Sequence, residues 1–188
     1  MTKKRMTLSC RAYQNEKSHK GLFLLYNNIM NWDKATDIIL YASFAIVGVF
    51  AIMGLCQLVK RKSLKKVDQK LLMMPIPLII MAIVYVIFDK FLVLNTRPDG
   101  SGEASFPSTH VMVVGTIFLL TTIALPKYIK SKATCAILDI IMLALFAITA
   151  YGRIAANMHW LSDVVAGAIF AAIFGAIYYL ITRESKHA

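Results

Sequence analysis

The sequence predicts an all-α fold, a multi-pass transmembrane helical bundle of five spans, with residues 21–36 open between a short interfacial helix and a sixth span. Three observations predict it. The 188 residues are 58% hydrophobic with a mean hydropathy of +0.62, too apolar for a soluble globule of this length. Five segments approach the ~20 apolar residues that a helix needs to cross a bilayer. The remaining polarity is concentrated between those segments, as it is when spans alternate with loops.

The spans are expected at 38–59, 71–88, 110–125, 133–152 and 164–182. The second carries Pro75 and Pro77 near its start. A proline in a first turn loses little, because those N–H groups have no helical partner, while Pro77 is placed to kink or delay the helix. Residues 21–36 are short and broken by asparagines, and as an interfacial helix they set Trp32 at headgroup level. The "GLFLLYNNIMNW" stretch that follows the basic region also lacks a small-residue cleavage site, so the N-terminus does not read as a cleavable signal peptide. The chain divides into a basic N-terminal segment (1–36), a single transmembrane domain (37–183) and a tail (184–188). Cys10, Cys56 and Cys135 form no CxxC pair, which argues against a disulfide framework or a zinc site. His19 and His187 sit in polar tails without an assigned role, and the scattered methionines read as packing or lipid-facing residues. Asp139, inside the fourth span, reads first as one end of an interhelical hydrogen bond or as an acid shallow enough to reach water, with a proton or ion relay as the sharper alternative.

The formal net charge of +11 is distributed by side. The 60–70 loop, the 126–132 loop and the tail share one face and hold Lys60, Arg61, Lys62, Lys65, Lys66, Lys70, Lys127, Lys130, Lys132, Arg183 and Lys186. The opposite loops, 89–109 and 153–163, hold only Lys90, Arg97 and Arg153. The positive-inside rule makes the first face cytoplasmic and the second extracytoplasmic, in a cell membrane. Residues 1–36 oppose this, because five spans place their seven Lys and Arg on the outer side. Basic span ends explain the charge by orientation and anionic lipid, so nucleic acid is not expected as a partner.

Span parity puts 89–109 and 153–163 on the same face whichever side that is. Together they offer Lys90, Arg97, Ser108, Thr109 and His110, then Arg153, His159 and Asp163. Each alone has an ordinary reading: interfacial cations, an aromatic-belt histidine beside Trp160, a helix-start aspartate. Together, three cations and two imidazoles suit a phosphoryl group, whose transfer depends on positioning and charge stabilisation. Arginine forks clamp oxyanions, and the "FPSTH" turn before a helix offers free N–H groups. One histidine can attack phosphorus while the other protonates the leaving oxygen. Asp163, four residues after His159, shares a helical face with it or falls in the first turn of the following helix. Either way it can accept the imidazole N–H.

Lys90-x6-Arg97-Pro98, Pro107-Ser108-Thr109-His110 and Arg153-x5-His159-x3-Asp163 resemble, in order, the three-part signature of the type 2 phosphatidic acid phosphatase (PAP2) family, which also includes vanadium haloperoxidases. The resemblance covers about residues 88–168. It implies a metal-independent reaction without cofactor, in which His159 forms a phosphohistidine, Asp163 orients it and His110 is the general acid. Lys90, Arg97, Arg153, Ser108 and the Thr109 amide would hold the phosphate. Two positions depart from the family pattern: Thr109 stands where glycine is usual and Gly152 where serine is usual.

A site at a bundle mouth suits an amphiphile. The expected partners are membrane lipids and a lipid phosphate substrate: undecaprenyl diphosphate, phosphatidylglycerophosphate or phosphatidic acid. The short chain resembles the small bacterial undecaprenyl-diphosphate phosphatases of that family. The "DGSGEAS" loop (99–105) is flexible by composition and suits a gate. Three other readings compete. A metal site of His110, His159 and Asp163 is disfavoured by the neighbouring cations. A non-enzymatic membrane protein that binds or transports an anionic headgroup uses the same charges without chemistry. A haloperoxidase-like oxidant is disfavoured because those relatives are soluble.

Overall fold

The structure, a computed structural model, describes residues 3–183, with side chains from Asn31 onward. Cys10, His19 and the tail 184–188 therefore lie outside the described side chains or residues. Among the described residues six α-helices make up the fold: α1 (Lys3–Arg61), α2 (Gln69–Met73), α3 (Pro75–Val86), α4 (Thr109–Ala124), α5 (Lys132–Ala155) and α6 (Leu161–Thr182). Among the described residues five stretches are long and apolar enough to cross a membrane: Asn31–Arg61, Gln69–Phe91, Thr109–Lys127, Lys132–Ala155 and Leu161–Thr182. They coincide with the five expected spans, each somewhat longer than hydropathy alone suggested.

Residues 21–36 form neither a separate interfacial helix nor a sixth span. They belong to α1, which runs without a break into the first span. Polar residues at its upstream end lowered the apparent hydropathy, but they serve tertiary contacts described below. The two prolines act where expected. Pro75 is the first residue of α3, and the chain between α2 and α3 breaks its helix at Met74 because Pro75 and Pro77 supply no N–H to the preceding turn. After α3 the chain makes one π-helical turn, Ile87–Phe91, closed by Leu92 N–H on the Ile87 carbonyl at 2.9 Å.

α4 is the central helix, buried along nearly its whole length and packed against α1, α5 and α6. Its apolar residues face all directions, as a helix enclosed by others requires. Its buried hydroxyls are satisfied within the helix: Thr116 and Thr121 each donate to the carbonyl four residues back, at 2.7 Å. Gly115 lets neighbours close in, since a Cβ there would lie 2.7 Å from Phe146 of α5 and 2.8 Å from Ala171 of α6. Thr122 of α4 donates to Asp139 of α5 at 2.8 Å, so of the readings open for that intramembrane acid the interhelical bond is the one found.

The two ends of the bundle gather different loops. At one end Asp68 pairs with Lys127 and bonds Gln57, while Gln69 Nε2 donates to the Ile181 carbonyl at 2.9 Å. Against the opposing effect of burial, Lys127 and then Gln57 hold the Asp68 carboxyl below its ordinary value. At the other end the 92–108 and 156–160 connections meet, as parity requires. Trp160 Nε1 donates to the Thr96 carbonyl at 2.9 Å, and Ser108 N–H donates to the Asp163 carbonyl at 3.0 Å.

Candidate active site

The upper connection before α4 is folded back on itself. Arg97 N–H donates to the Glu103 carbonyl at 3.0 Å and Ser105 N–H to the Asn95 carbonyl at 2.9 Å. Gly100 and Gly102, with φ of +81° and +75°, supply the left-handed turns that close it. Asp99 accepts the Ser101 N–H at 2.8 Å, which keeps its carboxyl below the ordinary value. The "DGSGEAS" segment is thus a bonded turn in this structure. A cis Phe106–Pro107 peptide then delivers Ser108 as the N-cap of α4. Phe106 rests edge-on against Phe88, at 5.5 Å between centroids, and Phe88 against Phe170 of α6 at 5.7 Å.

Thr109 is the first residue of α4, so it takes ordinary helical backbone and needs no positive φ. A β-branched residue is therefore tolerated where the resembling family uses glycine. The opening N–H groups of α4 have no helical partner, as at any helix start. Ser108 Oγ is fully buried and without a partner among the described residues.

The second connection is shaped by the end of α5. Met158 N–H reaches the Arg153 carbonyl at 3.2 Å and Asn157 N–H the Ile154 carbonyl at 2.9 Å, with Asn157 at φ +57°. This is a Schellman ending with asparagine in the left-handed position. It turns the chain sharply so that His159 points back into the bundle end, 6% exposed. α6 starts at Leu161 with Trp160 as its N-cap, and Asp163 Oδ2 accepts the Trp160 N–H at 3.0 Å. Of the two placements open for Asp163, the first turn of the following helix is the one found.

The partner of His159 departs from expectation. Its Nδ1 lies 2.8 Å from the Ser105 carbonyl oxygen and 3.9 Å from Asp163 Oδ2. A carbonyl only accepts, so Nδ1 carries the hydrogen and Nε2 presents its lone pair. Asp163, fully buried, is occupied with its own donors: Trp160 N–H, Asn95 Nδ2 at 3.0 Å and Ser162 Oγ at 3.3 Å. Burial and the nearby Arg153 push the His159 imidazole down to about 4, so it is neutral at pH 7.

Arg153 and Arg97 are held in similar ways. Arg153 Nη1 donates to Asp33 at 2.6 Å and to Thr36 Oγ1 at 3.3 Å. Arg97 Nη1 meets Glu103 at 2.8 Å and Met158 Sδ at 3.7 Å. In both, Nε is buried and unpartnered among the described residues. His110 Nε2 lies 2.8 Å from Asp37. Lys90 stands apart: it sits on the π-helical turn, exposed, and pairs with Asp89 at 2.7 Å.

Asp33, Thr36, Asp37, Asn95 and Ser105 thus join the cluster without having been expected there. The available signal was Asp33-x3-Asp37, two acids one turn apart immediately before an apolar span. Ser105 acts through its backbone and left no side-chain signal. Gly152, the other departure from the family pattern, has a packing cause. A Cβ there would lie 2.6 Å from Thr36 Cγ2 and 3.2 Å from Trp32 Cε3, and Trp32 stacks edge-on against Tyr151 at 5.1 Å.

These features define a membrane-spanning helical bundle with two arginines and two histidines converging at one end. The family model of the PAP2 superfamily matches residues 86–186. The chain belongs to the PAP2 superfamily. Its fold is similar to the crystal structure of a transmembrane PAP2-type phosphatidylglycerolphosphate phosphatase from Bacillus subtilis, with a TM-score of 0.57 over 89% of this chain and 98% of that one, at 13% identity. A comparison with curated proteins found no match.

Proposed function

We propose that the protein is an integral-membrane lipid phosphate phosphatase that works through a phosphohistidine, without metal. The observation that carries this reading is that Arg97 Nε, Arg153 Nε and Ser108 Oγ are buried without partners among the described residues, at the bundle end where α4 opens with N–H groups that have no helical acceptor. Buried donors are rarely left unmade, and this set matches the oxygens of one phosphoryl group. His159, neutral and with Nε2 free, attacks phosphorus as the bond to the leaving oxygen breaks. His110 gives that oxygen its proton. Water then attacks the phosphohistidine, giving its proton to the now neutral His110, and inorganic phosphate leaves. Asp163 holds the loop that carries His159. Lys90 joins the clamp on exchanging Asp89 for a phosphate oxygen.

The apolar spans around the site favour a substrate whose tail stays in the membrane. Undecaprenyl diphosphate, phosphatidylglycerophosphate and phosphatidic acid are the candidates, with the site on the extracytoplasmic face by the charge bias of the loops. The test is phosphate release from these three lipids in detergent with EDTA present. Wild type is expected to release phosphate and His159→Ala to release none while folding normally. Activity abolished by EDTA would revive a metal site, and binding of lipid phosphate without release would favour an anion-binding protein.

A further inference from the structure

Asp33 and Asp37 lie one turn apart on α1, outside all three signature segments. Yet Asp37 Oδ1 accepts from His110 Nε2 at 2.8 Å across 73 residues, and Asp33 Oδ1 accepts from Arg153 Nη1 at 2.6 Å across 120 residues. Arg153 is only 3% exposed, and a buried guanidinium requires a counter-charge. Asp33 supplies it at Nη1 and leaves Nε free. Glu103 does the same for Arg97 at the other side of the cluster. In each arginine one carboxylate anchors Nη1 while Nε stays unpaired among the described residues. That is the arrangement of a clamp held ready, and a plug filling the oxyanion position would instead take up the free edges. Because a carboxylate only accepts, His110 Nε2 carries its hydrogen toward Asp37, and Nδ1 is the atom left to face a leaving group.

We infer that α1 completes the active site: Asp37 is the positioning residue of the general acid His110, and Asp33 that of the phosphate clamp Arg153. The inference rests on the phosphatase reading. As the P–O bond breaks, the proton passes from His110 Nδ1 to the leaving oxygen. Asp37 fixes the ring plane for that transfer and balances the charge of the protonated ring. The charged groups that face this ring are Asp37 and Asp33 from α1 and Arg153 from α5.

The test compares an aryl phosphate, with a good leaving group, and an alkyl lipid phosphate, with a poor one, on the full chain in detergent. Asp37→Asn is expected to lower kcat on the alkyl substrate about 10- to 100-fold, less than the ~100- to 10,000-fold that a general acid itself contributes, because His110 remains in place. KM should stay within about twofold and the aryl substrate should lose much less. Asp37→Glu should recover part of the loss. Asp33→Asn should raise KM and weaken inhibition by inorganic vanadate on both substrates alike. Faster turnover by either Asn variant would show that the acids obstruct the site and would overturn the inference. So would equal losses on both substrates that follow the fall in melting temperature. If wild type and His159→Ala alike release no phosphate, the phosphatase reading has failed, and the inference with it.

Discussion

His159 is held by a backbone carbonyl, that of Ser105 at 2.8 Å, and not by the carboxylate of Asp163, which stands 3.9 Å away. Asp163 instead accepts three donors and so fixes the 157–163 connection. Asp163→Asn turns one acceptor oxygen into a donor facing other donors. A buried group left unsatisfied in this way costs about 1–3 kcal/mol. The substitution should therefore lower the melting temperature in detergent as well as kcat, whereas His159→Ala, which leaves the Ser105 carbonyl unpaired, should cost some stability but remove turnover outright. An Asp163→Asn protein with unchanged melting temperature and reduced kcat would return the aspartate to the role of imidazole orienter.

The buried His159 ring sets a pH dependence. Its folded value is about 4 against an ordinary 6.5, so the unfolded chain binds the extra proton first. The stability that comes from burying the neutral ring is complete above about 6.5 and is lost as the pH falls toward about 4. Activity follows the folded value: Nε2 keeps its lone pair until the pH approaches about 4. The acidic limb of kcat/KM should thus lie near pH 4, and a limb near the ordinary histidine value would show that the ring is hydrated in the working enzyme. In melting curves, His159→Asn should flatten part of the decline between these two pH values.

The spans were legible because a bilayer forces long apolar runs, and the three signature segments because their polar residues contrast with those runs. Parity alone brought Arg97, Ser108 and His110 to the side of Arg153 and His159, and the contacts between Thr96 and Trp160 and between Ser108 and Asp163 agree. What was not legible depended on helix packing. In sequence the upstream end of α1 reads as an interfacial segment or a sixth span because Asp33, Thr36 and Asp37 break its hydropathy; their use appears only once α1 lies against α4 and α5. The histidine anchor was missed because Ser105 contributes a main-chain oxygen, which any residue could supply. Spacing groups Lys90 with the clamp, and its pairing with Asp89 on the π-helical turn is a local contact that spacing does not show.

Gly167 sets the position of the phosphate turn. A Cβ there would lie 2.8 Å from the Ser108 carbonyl oxygen and 3.3 Å from the Met112 nitrogen, both backbone atoms that cannot swing aside. Gly167→Ala must push the first turn of α4 outward, and with it Ser108, Thr109 and His110. Displacements well under 1 Å at reacting groups are costly, up to about 100-fold per ångström. The variant should keep its helical content but lose about 10- to 100-fold in kcat/KM. Wild-type kinetics in Gly167→Ala would mean that α4 and α6 are not closely packed at this level.

Gly152→Ser restores the residue usual in the resembling family, yet it should damage this protein. The new Cβ would meet Thr36 Cγ2 at 2.6 Å and Trp32 Cε3 at 3.2 Å, and Thr36 is fully buried with no room to yield. Overpacking of this kind costs about 1–3 kcal/mol and would lever α1 away from α5. The same movement would stretch the Asp33–Arg153 pair, so KM for phosphate esters should rise together with the loss of stability. Thr36→Ser removes the obstructing methyl while keeping the hydroxyl that accepts from Arg153. The double variant Gly152→Ser, Thr36→Ser should therefore be more stable than Gly152→Ser alone, a coupling that a double-mutant cycle in melting temperature and KM would measure. Strict additivity of the two substitutions would show that serine at position 152 is accommodated without displacing α1, and that the close approach of α1 is not what selects glycine here.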